Sequence, residues 1–130
     1  MKKTLTVDSS ERVELIDITS LVAGAISSLD VRDGVCMVYV PHTTAAVTIN
    51  ESYDPDVCRD MTSSLNALVP RNGIYRHAEG NSDAHIKASL VGASEMVPIE
   101  GGSPSLGRWQ GIFFCEFDGP RKRKVEVILY

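Results

Sequence analysis

The fold is decided by the stretch VCMVYVPHTTAAVTIN, which spans residues 35–50. Its first part, Val35–Val40, is apolar enough to form a central β-strand, and Pro41, which has no N–H to donate, suits the end of that strand. The β pattern resumes over Ala45–Asn50, so a second strand follows. The polar segment His42–Thr44 connects the two strands and displays hydrogen-bonding side chains at a strand end.

Alternating apolar residues predict further strands at Thr4–Val7 and Val13–Asp17, and strands are also expected at Met96–Ile99, Trp109–Asp118 and Val125–Tyr130. Roughly seven strands with two or three helices predict an α+β domain built around antiparallel sheet. We expect the last two strands to form a hairpin, and we expect oligomerisation to cover its apolar C-terminal strand.

Helices are predicted from Thr19 or Ser20 to about Leu29, from Pro55 until Pro70 ends the helix, and, as a short helix, within the ambiguous stretch Asn81–Val91. The second helix has Asp54 as its N-cap and a buried stripe formed by Val57, Met61, Leu65 and Leu68. The third is expected to be capped by the Ser82 side chain, and it carries Asn81, His85 and Ser89 on one face.

Length and composition limit the class of protein. The 130 residues fit a single domain spanning 1–130, and the net charge of −4 argues against nucleic-acid binding through a broad basic face. No apolar run approaches the roughly 20 residues that cross a bilayer, so no membrane partner is expected. The first residues lack an apolar signal core, which favours the cytoplasm. The three cysteines show no C-x-x-C spacing and are expected to be reduced and buried.

All three histidines lie in two short polar segments: His42 in PHTT (41–44), and His77 and His85 in HAEGNSDAH (77–85). Imidazole carries protons at neutral pH and ligates metals, so this placement indicates chemistry. Three imidazoles plus a water would form an open catalytic zinc site. The same residues could serve as acid–base or phosphate-binding groups without a metal, or be structural. The spacing leaves these roles open.

Other polar residues are candidates for the same site. Glu51 follows a strand end and can orient an imidazole or act as a general base, whereas Glu79 is either a partner of His77 or a solvated charge. The basic cluster Arg121–Lys124 either holds phosphate or forms a solvated hairpin tip. Gln110 is polar within an apolar strand. The neighbouring tryptophan is expected in the core.

Four motifs closely resemble the YjbQ family in the same order: PHTTAAVTINE (41–51), HAEGNSDAHIKASLVG (77–92), LGRWQGI (106–112) and DGPR (118–121). The resemblance covers nearly the whole chain. It implies an α+β domain with a jelly-roll-like sandwich of mostly antiparallel strands, assembled as a homotrimer. It also implies secondary thiamine-phosphate synthase activity, which joins a pyrimidine diphosphate to a thiazole phosphate and releases pyrophosphate. The site residues implied by the motifs are His42, Thr43, Thr44, Glu51, His77, Asn81, His85, Gln110 and Arg121.

Three functions follow as hypotheses. The first is this transferase, in which Arg121, Arg123 and Lys87 neutralise phosphate and a divalent ion such as magnesium is held by carboxylates. The second is a hydrolase or lyase with zinc or another metal on His42, His77 and His85. The third is a non-enzymatic module that binds a small anion. No organic cofactor is indicated, and the expected partner is a phosphorylated small molecule.

Overall fold

The structure, a computed structural model, describes residues 1–130 as an α+β domain in which two antiparallel sheets curl into a half-barrel. The strands are β1 (Lys2–Asp8), β2 (Glu14–Asp17), β3 (Gly34–Tyr39), β4 (Ala45–Glu51), β5 (Ser94–Glu100), β6 (Ser103–Pro104), β7 (Gln110–Glu116) and β8 (Lys122–Leu129). The helices are α1 (Thr19–Ser28), α2 (Pro55–Leu68) and α3 (Ser82–Val91). The predicted fold class is confirmed.

The main core lies between the two sheets and α1. The larger sheet has the order β1-β8-β3-β5-β6, and the smaller has the order β2-β7-β4. Strand β8 places Val125, Val127 and Leu129 in the core by period-two alternation. Strand β7 is buried on both faces, since Phe114 joins this core while Cys115 joins a second cluster beneath α3. Its continuous apolar run follows from that double burial.

The connection between β7 and β8 crosses from one sheet to the other, so the predicted C-terminal hairpin is wrong. Strand β8 lies between β1 and β3, and its edges are therefore covered within the chain. The crossing needs a glycine at position 119, where a Cβ atom would lie 2.3 Å from the carbonyl oxygen of Glu11. This close approach places Asp118 and Arg121 beside the end of β3.

Two of the predicted helices differ from expectation in detail. Helix α2 has no buried residue: Val57, Met61 and Leu65 are half-buried and Leu68 is 70% exposed, so its apolar stripe is only partly covered within the chain. The Ser82 side chain does not cap α3: Asn81 occupies the N-cap position, and no side chain makes a capping hydrogen bond there. The Asn81 amide instead bonds to Asp118, which ties the start of α3 to the β7–β8 connection.

Beneath α3 a buried charge cluster links the helix to α2 and to Arg12, in the segment before β2. Asp83 accepts hydrogen bonds from both Nη atoms of Arg12, at 2.9 and 3.1 Å, and from Nζ of Lys87 at 3.2 Å. Nζ of Lys87 also donates to Asn66 on α2 at 2.7 Å. Burial opposes the charge on Asp83, but the hydrogen bonds from Arg12 and Lys87 prevail and lower the pKa of this carboxyl.

Candidate functional site

A polar cleft of about 660 Å³ opens where the β3–β4 connection, the start of α3 and the β7–β8 connection meet. It brings together six of the residues predicted from the sequence: His42, Thr43, Thr44, Asn81, His85 and Arg121. Four further polar or aromatic residues line it: Tyr39, Glu79, Asp118 and Arg123. The polar lining and the size of the cleft suit a small hydrophilic ligand.

The floor of the cleft is a buried ion pair between Arg123 and Glu116, whose side chains are 3% and 0% exposed. Nη2 of Arg123 also donates to Oγ1 of Thr44 at 2.8 Å, and Oγ of Ser9 donates to Oε1 of Glu116 at 2.7 Å. Burial alone would raise the pKa of Glu116, but the hydrogen bonds from Arg123 and Ser9 outweigh it and lower the pKa. Arg123 therefore holds the Thr44 side chain in place, and its positive charge is neutralised by Glu116.

His42 is fixed in one tautomer by the backbone of β8. The N–H of Lys124 donates to Nε2 of His42 at 2.9 Å, so Nε2 carries no proton and the neutral ring is protonated at Nδ1. Burial, followed by the nearby charge of Arg123, lowers the pKa of His42. The ring therefore acts in the cleft as a neutral Nδ1–H donor.

His85 has no hydrogen bond to another protein group and is the second imidazole of the cleft. The ring of His77 packs edge-on against it, with the two centroids 5.5 Å apart and the planes at 86°. His77 also lies 3.6 Å from Glu79, measured from Nε2 to Oε2. The structure thus places His77 against His85 and outside the lining of the cleft, whereas the neighbouring Glu79 does line it.

Asp118 joins α3 to Arg121 across one side of the cleft. Its Oδ2 accepts hydrogen bonds from Nδ2 of Asn81 at 2.9 Å and from Nη2 of Arg121 at 3.2 Å. Nε of Arg121 donates to the Asp118 carbonyl at 2.9 Å, and its side chain is half exposed. Oδ1 of Asn81 is buried without a partner. Asp118 thus orients two of the predicted site residues.

Three predicted residues lie elsewhere. Glu51 and Gln110 are register partners at the far end of the β4–β7 pair. Glu51 is seven residues along β4 from Thr44, which is roughly 20 Å at the usual rise per residue. Glu51 borders a separate hollow with Trp109, which is 47% exposed and so is not the predicted core residue. Lys87 is buried in the charge cluster beneath α3 and does not line the cleft.

The predicted three-histidine metal centre is wrong, because the side chains do not fit it. The structure contains no group of three or more His, Cys, Asp or Glu side chains placed to hold a metal ion. His42 has its Nε2 committed to the Lys124 amide, and the rings of His77 and His85 meet edge to face, so the three imidazoles do not converge. The metal-dependent hydrolase or lyase is therefore not supported.

Asp118 is a cleft residue that the sequence-based prediction missed, whereas Arg123 is among the residues predicted to neutralise phosphate. Arg123 follows the period-two pattern of Val125, Val127 and Leu129, which predicts an inward-facing side chain. The alternative of a solvated hairpin tip does not hold for Arg123, because this residue is buried. Asp118 was counted only as a strand residue, whereas β7 ends at Glu116 and leaves Asp118 in the connection. Its contacts come from tertiary structure, which has no local sequence signal.

The family model for UPF0047, YjbQ-like proteins matches residues 3–130. The chain belongs to the UPF0047 family. A UPF0047 protein of Methanocaldococcus jannaschii is 54% identical over 93% of this chain and 88% of its own. YugU of Bacillus subtilis is 48% identical over 95% of this chain and 94% of its own. The resemblance to the YjbQ family is thereby confirmed.

Solved structures of relatives have the same fold. A YjbQ/UPF0047 protein of Clostridium acetobutylicum is 51% identical with a TM-score of 0.96, covering 98% of this chain and 99% of its own. A protein of Sulfolobus solfataricus is 29% identical with a TM-score of 0.94, covering 99% and 95%. The latter is described as a protein of unknown function.

The descriptions of these relatives contradict the expected activity. They are described only as UPF0047 proteins, as uncharacterised, or as being of unknown function, and none is described as a thiamine-phosphate synthase. The expectation of a transferase in thiamine biosynthesis is therefore wrong: family membership carries the fold and no reaction. The function must be argued from the cleft itself. On membranes the structure adds one finding, that no helix is long and apolar enough to span a bilayer.

Proposed function

We propose that the cleft binds the anionic group of a small phosphorylated molecule and that His85 exchanges a proton with the bound molecule. One observation carries the proposal. Fixed hydrogen-bond donors line the same cleft as the imidazole of His85, which makes no hydrogen bond to another protein group. Fixed donors stabilise negative charge without reorganising, and a free imidazole moves protons at neutral pH.

The donor wall consists of His42, Thr44 and Arg121. His42 presents Nδ1–H because Nε2 is taken by Lys124. Oγ1 of Thr44 accepts from Arg123, which leaves its own hydroxyl proton free to donate. The half-exposed guanidinium of Arg121 supplies the positive charge, and arginine binds phosphate through two parallel N–H groups.

Two of the three carboxylates around this wall are already paired. Asp118 is held by Asn81 and Arg121, and Glu116 is held by Arg123. The third, Glu79, is exposed and lies beside His77, on the His85 side of the cleft. An anion at the donor wall is therefore opposed by no unpaired carboxylate except Glu79.

The test uses sulfate, an anion that does not itself titrate near neutral pH. Calorimetry in two buffers of different ionisation enthalpy measures both its affinity and the protons taken up on binding. We expect Arg121→Ala to weaken binding by about tenfold or more, as loss of a charge-assisted hydrogen bond does. We expect His85→Gln to remove the proton uptake, because a bound anion favours the imidazolium.

The matched control is Arg59→Ala. Arg59 forms the same kind of i,i+3 pair with an aspartate, Asp56, on the exposed surface of α2 and away from the cleft. Its removal is expected to leave sulfate binding unchanged. The proposal is overturned if sulfate does not bind at millimolar concentration, if both arginine variants lose affinity equally, or if His85→Gln still takes up the proton.

The same chain is proposed to assemble as a homotrimer. The number of subunits follows from the family resemblance, and the exposed apolar face of α2 supports an association. On that face Leu68 is 70% exposed, and the side chains of Val57, Met61 and Leu65 are only partly covered. Burying such a face between subunits is favourable in proportion to its area.

A further inference from the structure

His85 separates the cleft from a second cavity of about 410 Å³ on its other side. This cavity lies between the segment that precedes α3 and the first turn of the helix, and Ile74, Tyr75 and Ile86 supply its apolar lining. His85 is the residue that lines both cavities. A ligand in the polar cleft is therefore separated by one imidazole, that of His85, from a surface that is more apolar.

The segment that forms this cavity is built around Tyr75. The hydroxyl of Tyr75 donates to the carbonyl of Pro70, which folds the segment back on itself. The ring lies against Gly73 so closely that a Cβ atom at that position would be 2.6 Å from a ring carbon. The aromatic wall is therefore held in place by its own hydrogen bond and by a glycine.

The apolar residues that line this cavity do not contribute to either hydrophobic core. Ile74 is fully exposed and Ile86 is 41% exposed, and neither belongs to the core clusters. The rings of His77 and His85 pack edge to face, and His85 lines both cavities. Apolar side chains beside a polar cleft are typical of sites for ligands with two unlike parts.

We infer that this second cavity binds an apolar, ring-sized part of the same small molecule whose anionic group lies in the cleft. The inference rests on the proposed function and names its ligand class more closely: an organic phosphate ester with an aromatic or aliphatic body. In this arrangement His85 lies at the junction of the two parts, beside the oxygen that joins the anionic group to the apolar body.

The test compares methyl sulfate with phenyl sulfate, two monoanions that differ only in the size of the apolar part. Calorimetry on the whole protein is expected to show phenyl sulfate binding at least about tenfold more tightly. Ile86→Ser is expected to remove that preference while leaving the affinity for methyl sulfate unchanged. Leu90→Ser is the matched control, because Leu90 lies one turn further along α3, is 58% exposed and does not line the cavity.

The outcomes separate this inference from the proposed function. If both esters bind with the same affinity, the second cavity is not a subsite, although anion binding stands. If Leu90→Ser and Ile86→Ser reduce the preference equally, the effect comes from helix stability and the inference is overturned. If neither ester nor sulfate binds, the proposed function fails and this inference fails with it.

Discussion

The backbone N–H of Lys124 donates to Nε2 of His42 at 2.9 Å, although the two residues are 82 positions apart in the chain. This single contact assigns different roles to the two imidazoles of the cleft. It makes His42 a fixed hydrogen-bond donor, and it leaves His85 as the group that can exchange a proton.

The first prediction concerns the tautomer of His42. Its Nε2 accepts a hydrogen bond, and burial together with Arg123 lowers its pKa, so the ring is expected to be neutral and protonated at Nδ1 at pH 7. Nitrogen-15 NMR of the ring measures this directly, with His42→Gln identifying the resonances. A proton on Nε2, or a pKa above the ordinary histidine value, would contradict the role given to His42.

The second prediction concerns the charge cluster beneath α3. Asp83→Asn leaves the buried ammonium of Lys87 without a counter-charge and is expected to cost about 3–5 kcal/mol of unfolding free energy. Lys87→Met leaves Asp83 paired with Arg12 and should cost only about 1–3 kcal/mol, from the unsatisfied partner groups. Urea unfolding gives both values. Equal costs would show that Arg12 does not hold Asp83 as described.

A further prediction concerns Lys87, a member of the same cluster that the sequence predicted to bind substrate. Since Lys87 contacts Asp83 and Asn66 and does not line the cleft, Lys87→Met is expected to bind sulfate with the affinity of the unaltered protein. This measurement tests the sequence-based assignment of Lys87. A loss of affinity comparable to that of Arg121→Ala would restore Lys87 as a binding residue.

The third prediction is a pH dependence of stability. The folded-state pKa of Glu116 is lowered by Arg123 and Ser9, so its contribution is present above the ordinary carboxyl pKa of about 4 and is lost as pH falls through the lower folded value. The free-energy difference between the unaltered protein and Glu116→Gln should therefore be large at pH 7 and shrink below about pH 4. A difference that stays constant down to pH 2 would contradict this linkage.

The fourth prediction concerns assembly. Light scattering on the eluting protein is expected to give three times the 14.1 kDa mass of the chain. Leu68→Ser removes exposed apolar surface from α2 and is expected to shift the distribution toward the monomer, whereas Lys2→Ala on the edge strand β1 should not. A monomer at micromolar concentration in the unaltered protein would rule the assembly out.

Much of the fold follows from local patterns. Alternation or an apolar run indicates the seven longer strands, and the aspartate and proline at 54–55 indicate the start of α2. Strand pairing did not follow, because alternation shows which face of a strand is buried but not which strand lies beside it. Strands β7 and β8 were therefore predicted as a hairpin, although they belong to different sheets.

The candidate site was predictable in part for the same reason. Asn81 and His85 share a helix face through their spacing of four, and both line the cleft. Glu51 and Gln110 also lie close together, as register partners, but at the far end of β4 from Thr44. The sequence indicates that each of these two pairs lies at the end of a strand or helix. Only the sheet register shows that the pair Glu51 and Gln110 lies at the end of β4 that is far from the cleft.

The most direct test of the proposed site is the ring spectrum of the three histidines during a sulfate titration. We predict that His85 shifts toward the imidazolium form as sulfate binds, while His42 keeps its proton on Nδ1 and stays neutral. Arg121→Ala should move the His85 shift to higher sulfate concentration, and Arg59→Ala should not. A His85 ring that does not respond to sulfate, or a His42 ring that becomes protonated in its place, would contradict the account.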